Sequence, residues 1–152
     1  MAWSESRIFR SLLQSALGGG SSFDLGGSPL RVALFDNTIT PDRDAAPADA
    51  AYGEGVWVAG AEVADDPGWD VGGPALTGQS WDALAGGITQ LNANPVESDE
   101  GTTLVDVYGD LLYVGADGRG VAFHYFGGPQ AVTNGVFSVV PQGDEGLIRF
   151  TV

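Results

Sequence analysis

The sequence predicts a mainly β chain, an antiparallel β-sandwich or barrel preceded by one N-terminal amphipathic helix. Three observations lead there. Apolar residues recur at helical spacing in one place only: Ile8, Phe9, Leu12, Leu13, Ala16 and Leu17. Beyond it, short runs of β-branched, leucine and aromatic residues alternate with turn formers, in a chain holding 24 Gly and 8 Pro. With 152 residues the chain is long enough for one core, so the absence of Cys costs it no needed staple.

Residues 1–20 read as a helical arm. Ser4 is the expected N-cap, Glu5 suits the first turn, and Gly18-Gly19-Gly20 ends the helix. Trp3 is placed to staple the helix start or to anchor the arm on a partner. Residues 21–152 read as the β domain. Strands are expected at Leu30–Asp36, Gly55–Val58, Ile88–Leu91, Thr103–Tyr108, Leu111–Val114, Gly120–Phe126, Val136–Val140 and Leu147–Val152. Asp117-Gly118 marks a tight turn between two of them. The last two strands, "VFSVV" and "LIRFTV", flank the turn-rich "PQGDEG" and read as a terminal hairpin. No fixed repeat is visible.

The segment 41–73 breaks the pattern. It holds Asp42, Asp44, Asp49, Glu54, Glu62, Asp65, Asp66 and Asp70, eight of the 20 acidic residues, diluted by Ala and by Pro41, Pro47 and Pro67. It reads as a long surface excursion pinned by Trp57 and Trp69.

Charge narrows the function. The formal net charge is −14, and all six basic residues are Arg. Nucleic-acid binding needs clustered Lys or Arg, so direct binding is not expected. The lack of Lys fits a GC-rich genome or a halophilic source. No stretch reaches the roughly 20 apolar residues of a membrane span, and the run from Ser11 to Leu17 is too short and polar for a signal-peptide core. A soluble protein without a cleaved signal is expected.

Catalytic vocabulary is sparse. His124 is the single histidine, and no Gly-x-Ser-x-Gly elbow accompanies it, so it reads as structural or surface-exposed. Asp42 and Asp44 match only the first spacing of a calcium loop, and "ESDEG" at 97–101 carries no patterned ligands. Both read as solvated acidic faces, and no metal or cofactor is expected. Carboxylate pairs for glycoside hydrolysis are set by spatial separation, which this density of acid does not single out. Walker and dinucleotide-binding glycine patterns are missing from the sequence. The chain therefore reads as a structural or binding module, not an enzyme.

Four segments carry a resemblance. "MAWSESRIFRSLLQSAL", "FDLGGSPLRVALFDNTITPD", "FHYFGGPQAVTNGVFSVV" and "GLIRFTV" resemble small structural proteins encoded by tailed bacteriophages of actinobacteria and related prophages. The likeness covers about the first 40 and last 35 residues and is weaker between Asp42 and Gly101. It implies a capsid decoration (minor capsid) protein, made in the host cytoplasm and resident on the outer surface of the virion. Its implied partners are the major capsid protein lattice and further copies of itself, with a trimer the expected oligomer. The interface expected on this reading comprises Trp3, Ile8, Phe9, Leu12, Leu13, Trp57 and Trp69. Two alternatives stand beside it: a tail tube protein forming stacked rings, and a carbohydrate-binding or fibre module stacking sugars on Trp57, Trp69 or Trp81.

Overall fold

A computed structural model describes residues 3–18, 24–141 and 146–151. It is mainly β, antiparallel throughout, with a single short helix near the N-terminus among the described residues. The elements in order are β1 (Arg7–Ile8), α1 (Arg10–Leu17), β2 (Leu30–Phe35), β3 (Glu62–Val63), β4 (Ser80–Leu84), β5 (Ile88–Asn92), β6 (Val96–Glu97), β7 (Thr102–Val114), β8 (Gly120–Gly135), β9 (Ser138–Val139) and β10 (Ile148–Thr151). A five-stranded sheet runs β1-β8-β7-β2-β3, a three-stranded sheet β10-β5-β4, and β6 pairs with β9. No sheet closes into a barrel among the described residues. All three sheets feed one core, with Leu34 and Phe123 from the first, Leu91 and Ile148 from the second, and Val96 from the third.

The backbone of the molecule is the β7–β8 hairpin. Its tight turn forms at the expected Asp117-Gly118, with Gly118 at φ 77°, where a side chain is disfavoured. The strands run on as 13 and 16 residues, so the two pieces expected as Thr103–Tyr108 and Leu111–Val114 are one strand. Register shifts near Leu104 and Val107, with Asp106 at φ 56°, bend it between those halves. β2 covers only the inner part, pairing Leu30–Phe35 with Val114–Gly109. The outer part, Thr102–Tyr108, reaches beyond it.

The N-terminal arm differs from its expectation. The helix starts at Arg10, with Phe9 as N-cap and no capping side chain, so Ser4 caps nothing. The reason is competition from the sheet. Arg7 and Ile8 pair with Phe123 and Ala122 of β8, and the Phe9 amide donates to the Val121 carbonyl at 3.1 Å. The apolar spacing is real, but its first residues are strand-like and face the core. Gly18 closes the helix, its amide donating to Gln14 O at 2.9 Å, while Gly19 and Gly20 lie outside the described residues.

Rings from four segments then interlock. Trp3 packs edge-on against Trp57 at 5.8 Å and Phe123 at 6.2 Å, Phe9 meets Phe123 at 5.4 Å, and Phe35 meets Trp57 at 5.1 Å. Trp3 Nε1–H donates to the Asp36 carbonyl at 2.7 Å, satisfying the one polar atom this burial would strand. Gly109 makes room both for the neighbouring strand and for the arm, since a Cβ there would meet the Trp3 ring at 2.5 Å and the His124 carbonyl oxygen closer still.

The 41–73 excursion is ordered by the same core. It returns to β2 through β3, and Tyr52 stacks on Tyr113 with ring centroids 4.6 Å apart. The Glu62 carboxylate accepts from Tyr52 OH at 2.7 Å and from the Gly72 amide at 2.5 Å, and Tyr113 OH donates to Gly72 O at 2.7 Å. Much of the acid that follows β2 forms turns. Asp36 accepts from the Thr38 amide at 2.8 Å and Asp42 from the Asp44 amide at 2.8 Å. Gly55–Val58 forms turns instead of the expected strand, closed by Trp57 N–H to Glu54 O at 2.9 Å.

The expected terminal hairpin is not formed. Ser138–Val139 pair with Val96–Glu97, and β10 pairs with β5, so the two segments enter different sheets. The connecting residues 142–145, like Val152, lie outside the described residues.

Candidate functional site

Asp110 and His124 sit directly opposite each other in the β7–β8 register. The Asp110 side chain is buried, and His124 is mostly covered. His124 Nδ1–H donates to Asp110 Oδ1 at 2.6 Å, and Nε2–H donates to the Leu147 carbonyl at 2.9 Å, just before β10. A carboxylate and a carbonyl both accept, so both ring nitrogens carry protons and the ring is an imidazolium. Burial opposes that charge, but the Asp110 charge, its hydrogen bond and the Leu147 carbonyl outweigh burial and push the pKa up to about 9. With both nitrogens donating, neither presents a lone pair to a nucleophile. Ser6 Oγ, nearby, accepts the Tyr125 amide at 2.9 Å. In this geometry the pair is a fixed, compensated cation that ties β8 to β10, not a general base.

Two cavities adjoin this pair and share Ser6, His124, Leu147 and Arg149 in their walls. The larger, of about 760 Å³, is partly aromatic and apolar, with Tyr125, Phe126, Phe137 and Val139. The other, of about 580 Å³, is lined by Arg7, Arg10, Arg43 and Arg149. Four of the six arginines in a chain of net charge −14 thus converge on one groove. They arrive from β1, the start of α1, the excursion and β10. Arg10 and Arg43 share a single carboxylate, Asp44, at 3.2 and 3.8 Å, and Arg7 pairs with Glu5. Arg10 and Arg43 are further joined by the Arg10 amide donating to the Arg43 carbonyl at 2.9 Å. These exposed pairs contribute little to stability, roughly 0–1 kcal/mol each. Chemically, the groove is suited to carboxylates or other anions.

The residues expected to form a partner interface are mostly elsewhere. Trp3 and Phe9 are 0% exposed, Trp57 and Trp69 1%, and Leu12 5%. The expectation of an apolar arm reaching outward is corrected at these five positions: their partner is the chain's own core. Ile8 and Leu13 are half-buried, and both line the arginine groove. Of the three tryptophans considered as sugar platforms, Trp81 alone keeps an exposed face, 37%, and stacks on Phe150 at 6.2 Å. Trp69 packs on Phe137 at 5.9 Å with its Nε1 buried and unpaired.

Sequence reasoning missed the groove and the Asp110 partner. The available signal was scarcity: with six Arg and no Lys, each cation is conspicuous, but positions 7, 10, 43 and 149 show no pattern until the sheets bring them together. Among the described residues, no group of three or more His, Cys, Asp or Glu is placed to hold a metal, and no helix is long and apolar enough to cross a membrane. Comparison with known proteins finds no matching family model, curated protein or solved structure.

Proposed function

We propose that the chain is a non-enzymatic structural protein of a virion, most specifically a capsid decoration protein that binds the outer shell and stabilises the mature head. The observation that carries this reading is the single aromatic core joining Trp3, Phe9, Phe35, Trp57 and Phe123, which makes arm, excursion and main sheet one rigid block. A coat protein needs such a block, because it works by transmitting load between neighbours without deforming. The acidic exterior keeps a densely coated particle from clumping. The four phage-like segments supply the setting. The chain would act as a homo-oligomer on the major capsid protein lattice.

The tail tube remains the second reading, and one observation favours it. The outer half of the β7–β8 hairpin, Thr102–Tyr108, extends past β2; its Thr102, Leu104 and Val107 are buried, but Thr103, Val105 and Asp106 are exposed on the other face and offer a surface for contact between stacked rings. Gold-labelled antibody on particles of the source phage separates the two. Label over heads supports decoration, label along tails supports the tube, and unlabelled particles with a demonstrably accessible epitope remove both.

A further inference from the structure

Charge is distributed unevenly along the β7–β8 hairpin. The arginine groove lies beside its inner half, where Arg7 pairs with Phe123 and His124 faces Asp110. The open end is the opposite. There, Asp65 accepts from the Thr103 amide at 2.5 Å, and the Asp99 amide donates to Gly68 O at 3.2 Å, which draws residues 65–70 and 97–103 together. Asp66, Glu97, Asp99 and Glu100 are exposed at that end. No arginine occurs between positions 43 and 119 or between 119 and 149, so nothing in these segments offsets them. At about 3.3 Å per strand residue, the span from Thr102 to Asp110 separates the two poles by on the order of 25 Å.

We propose that the arginine groove of one copy receives the acidic hairpin end of a second copy, giving a head-to-tail contact. Groove on groove or acid on acid would oppose like charges, so this contact cannot be self-complementary. It is heterologous, and repetition yields a closed ring or a filament according to the rotation per step. Both halves of the complementarity are present on this one chain. A groove of about 580 Å³ also accommodates several side chains, more than a single small anion would fill. The exposed ends of Ile8 and Leu13 in its wall add apolar contact beneath the charges. The inference goes beyond the proposed function: it names the surface through which copies meet and holds whether the protein coats a head or builds a tube.

Sedimentation velocity on the full chain tests it. Wild-type protein is expected to associate with rising concentration, its apparent Kd weakening on the order of tenfold between about 0.05 and about 0.5 M NaCl. Two double variants, Arg10→Gln/Arg43→Gln and Glu97→Gln/Glu100→Gln, change exposed side chains only, and circular dichroism checks their fold. Each alone should associate on the order of tenfold more weakly than wild type, although they shift net charge in opposite directions. Mixed, they retain one intact groove and one intact acidic end per pair, and should form 1:1 dimers that do not grow. A wild-type monomer at every concentration overturns the proposal, as does a groove variant that associates like wild type. A monomeric wild type that binds a poly-glutamate peptide through the same arginines also overturns it, assigning the groove to an acidic partner of another kind.

Discussion

His124 bridges Asp110 and the Leu147 carbonyl, at 2.6 and 2.9 Å, and so ties the central hairpin to the chain just before β10. The link depends on charge. The folded pKa, about 9, lies above the ordinary histidine value of 6.5. The contribution to stability is therefore fully present below about pH 6.5 and fades as pH rises through 9. Urea unfolding between pH 6 and 10 should show a loss on the order of 3 kcal/mol in the wild type. His124→Gln should be less stable at pH 6 and much flatter across the range. A wild-type curve that rises through this window would contradict the assignment.

The N-terminal arm belongs to the core. Trp3→Ala is expected to lower stability by about 3–5 kcal/mol, because it empties a ring-lined site and strands the Asp36 carbonyl. Leu12→Asp should unfold the domain, since it buries a carboxylate where Leu12 is 5% exposed. Leu17→Asp, on a residue 87% exposed, should stay within about 0.5 kcal/mol of wild type. Equal stability of all three variants in urea would show that the arm is separate after all.

Gly109 gives a subtler check. A Cβ there would lie 2.5 Å from the Trp3 ring and closer still to the His124 carbonyl oxygen, so Gly109→Ala should cost about 3 kcal/mol by pushing β8 away from β7 as well as displacing the indole. Near-ultraviolet circular dichroism, sensitive to indole packing, should change while far-ultraviolet spectra keep their β shape.

Solvent access to tryptophan follows from burial. Three of the four indoles, Trp3, Trp57 and Trp69, are at most 1% exposed. Acrylamide should quench only the Trp81 fraction of native fluorescence, and Trp81→Phe should abolish that fraction without unfolding. If quenching persists in Trp81→Phe, a second tryptophan is exposed and the sugar-platform reading gains a candidate besides Trp81.

The parts of this fold that were legible in the sequence are those set by local pattern. The alternation in "LRVALF" marked β2, "ITQL" marked β5, and Asp117-Gly118 marked the turn of the main hairpin. β4, "SWDAL", was missed because it is exposed on both faces, with only Asp82 half-buried, and so lacks the alternation that betrays a half-buried strand. The terminal hairpin was misread because turn chemistry at 141–146 is local, whereas β9 and β10 find partners in β6 and β5, some fifty residues earlier. The apolar arm was found, but periodicity does not say whether a stripe meets a partner or its own core, and Trp57 arriving from the excursion decided that. The arginine groove depends on pairings that join residue 7 to residue 123 and residue 149 to residue 90, beyond the reach of any sequence window.

The most direct test of the central claim is a cryo-electron microscopy reconstruction of the intact particle at a resolution that shows strands. The account predicts this β domain in density on the outside of the head, with the hairpin and its indole-locked arm fitting as one rigid body. Finding the domain in the tail tube, or finding the arm detached from the sheet and extended onto a neighbour, would contradict it.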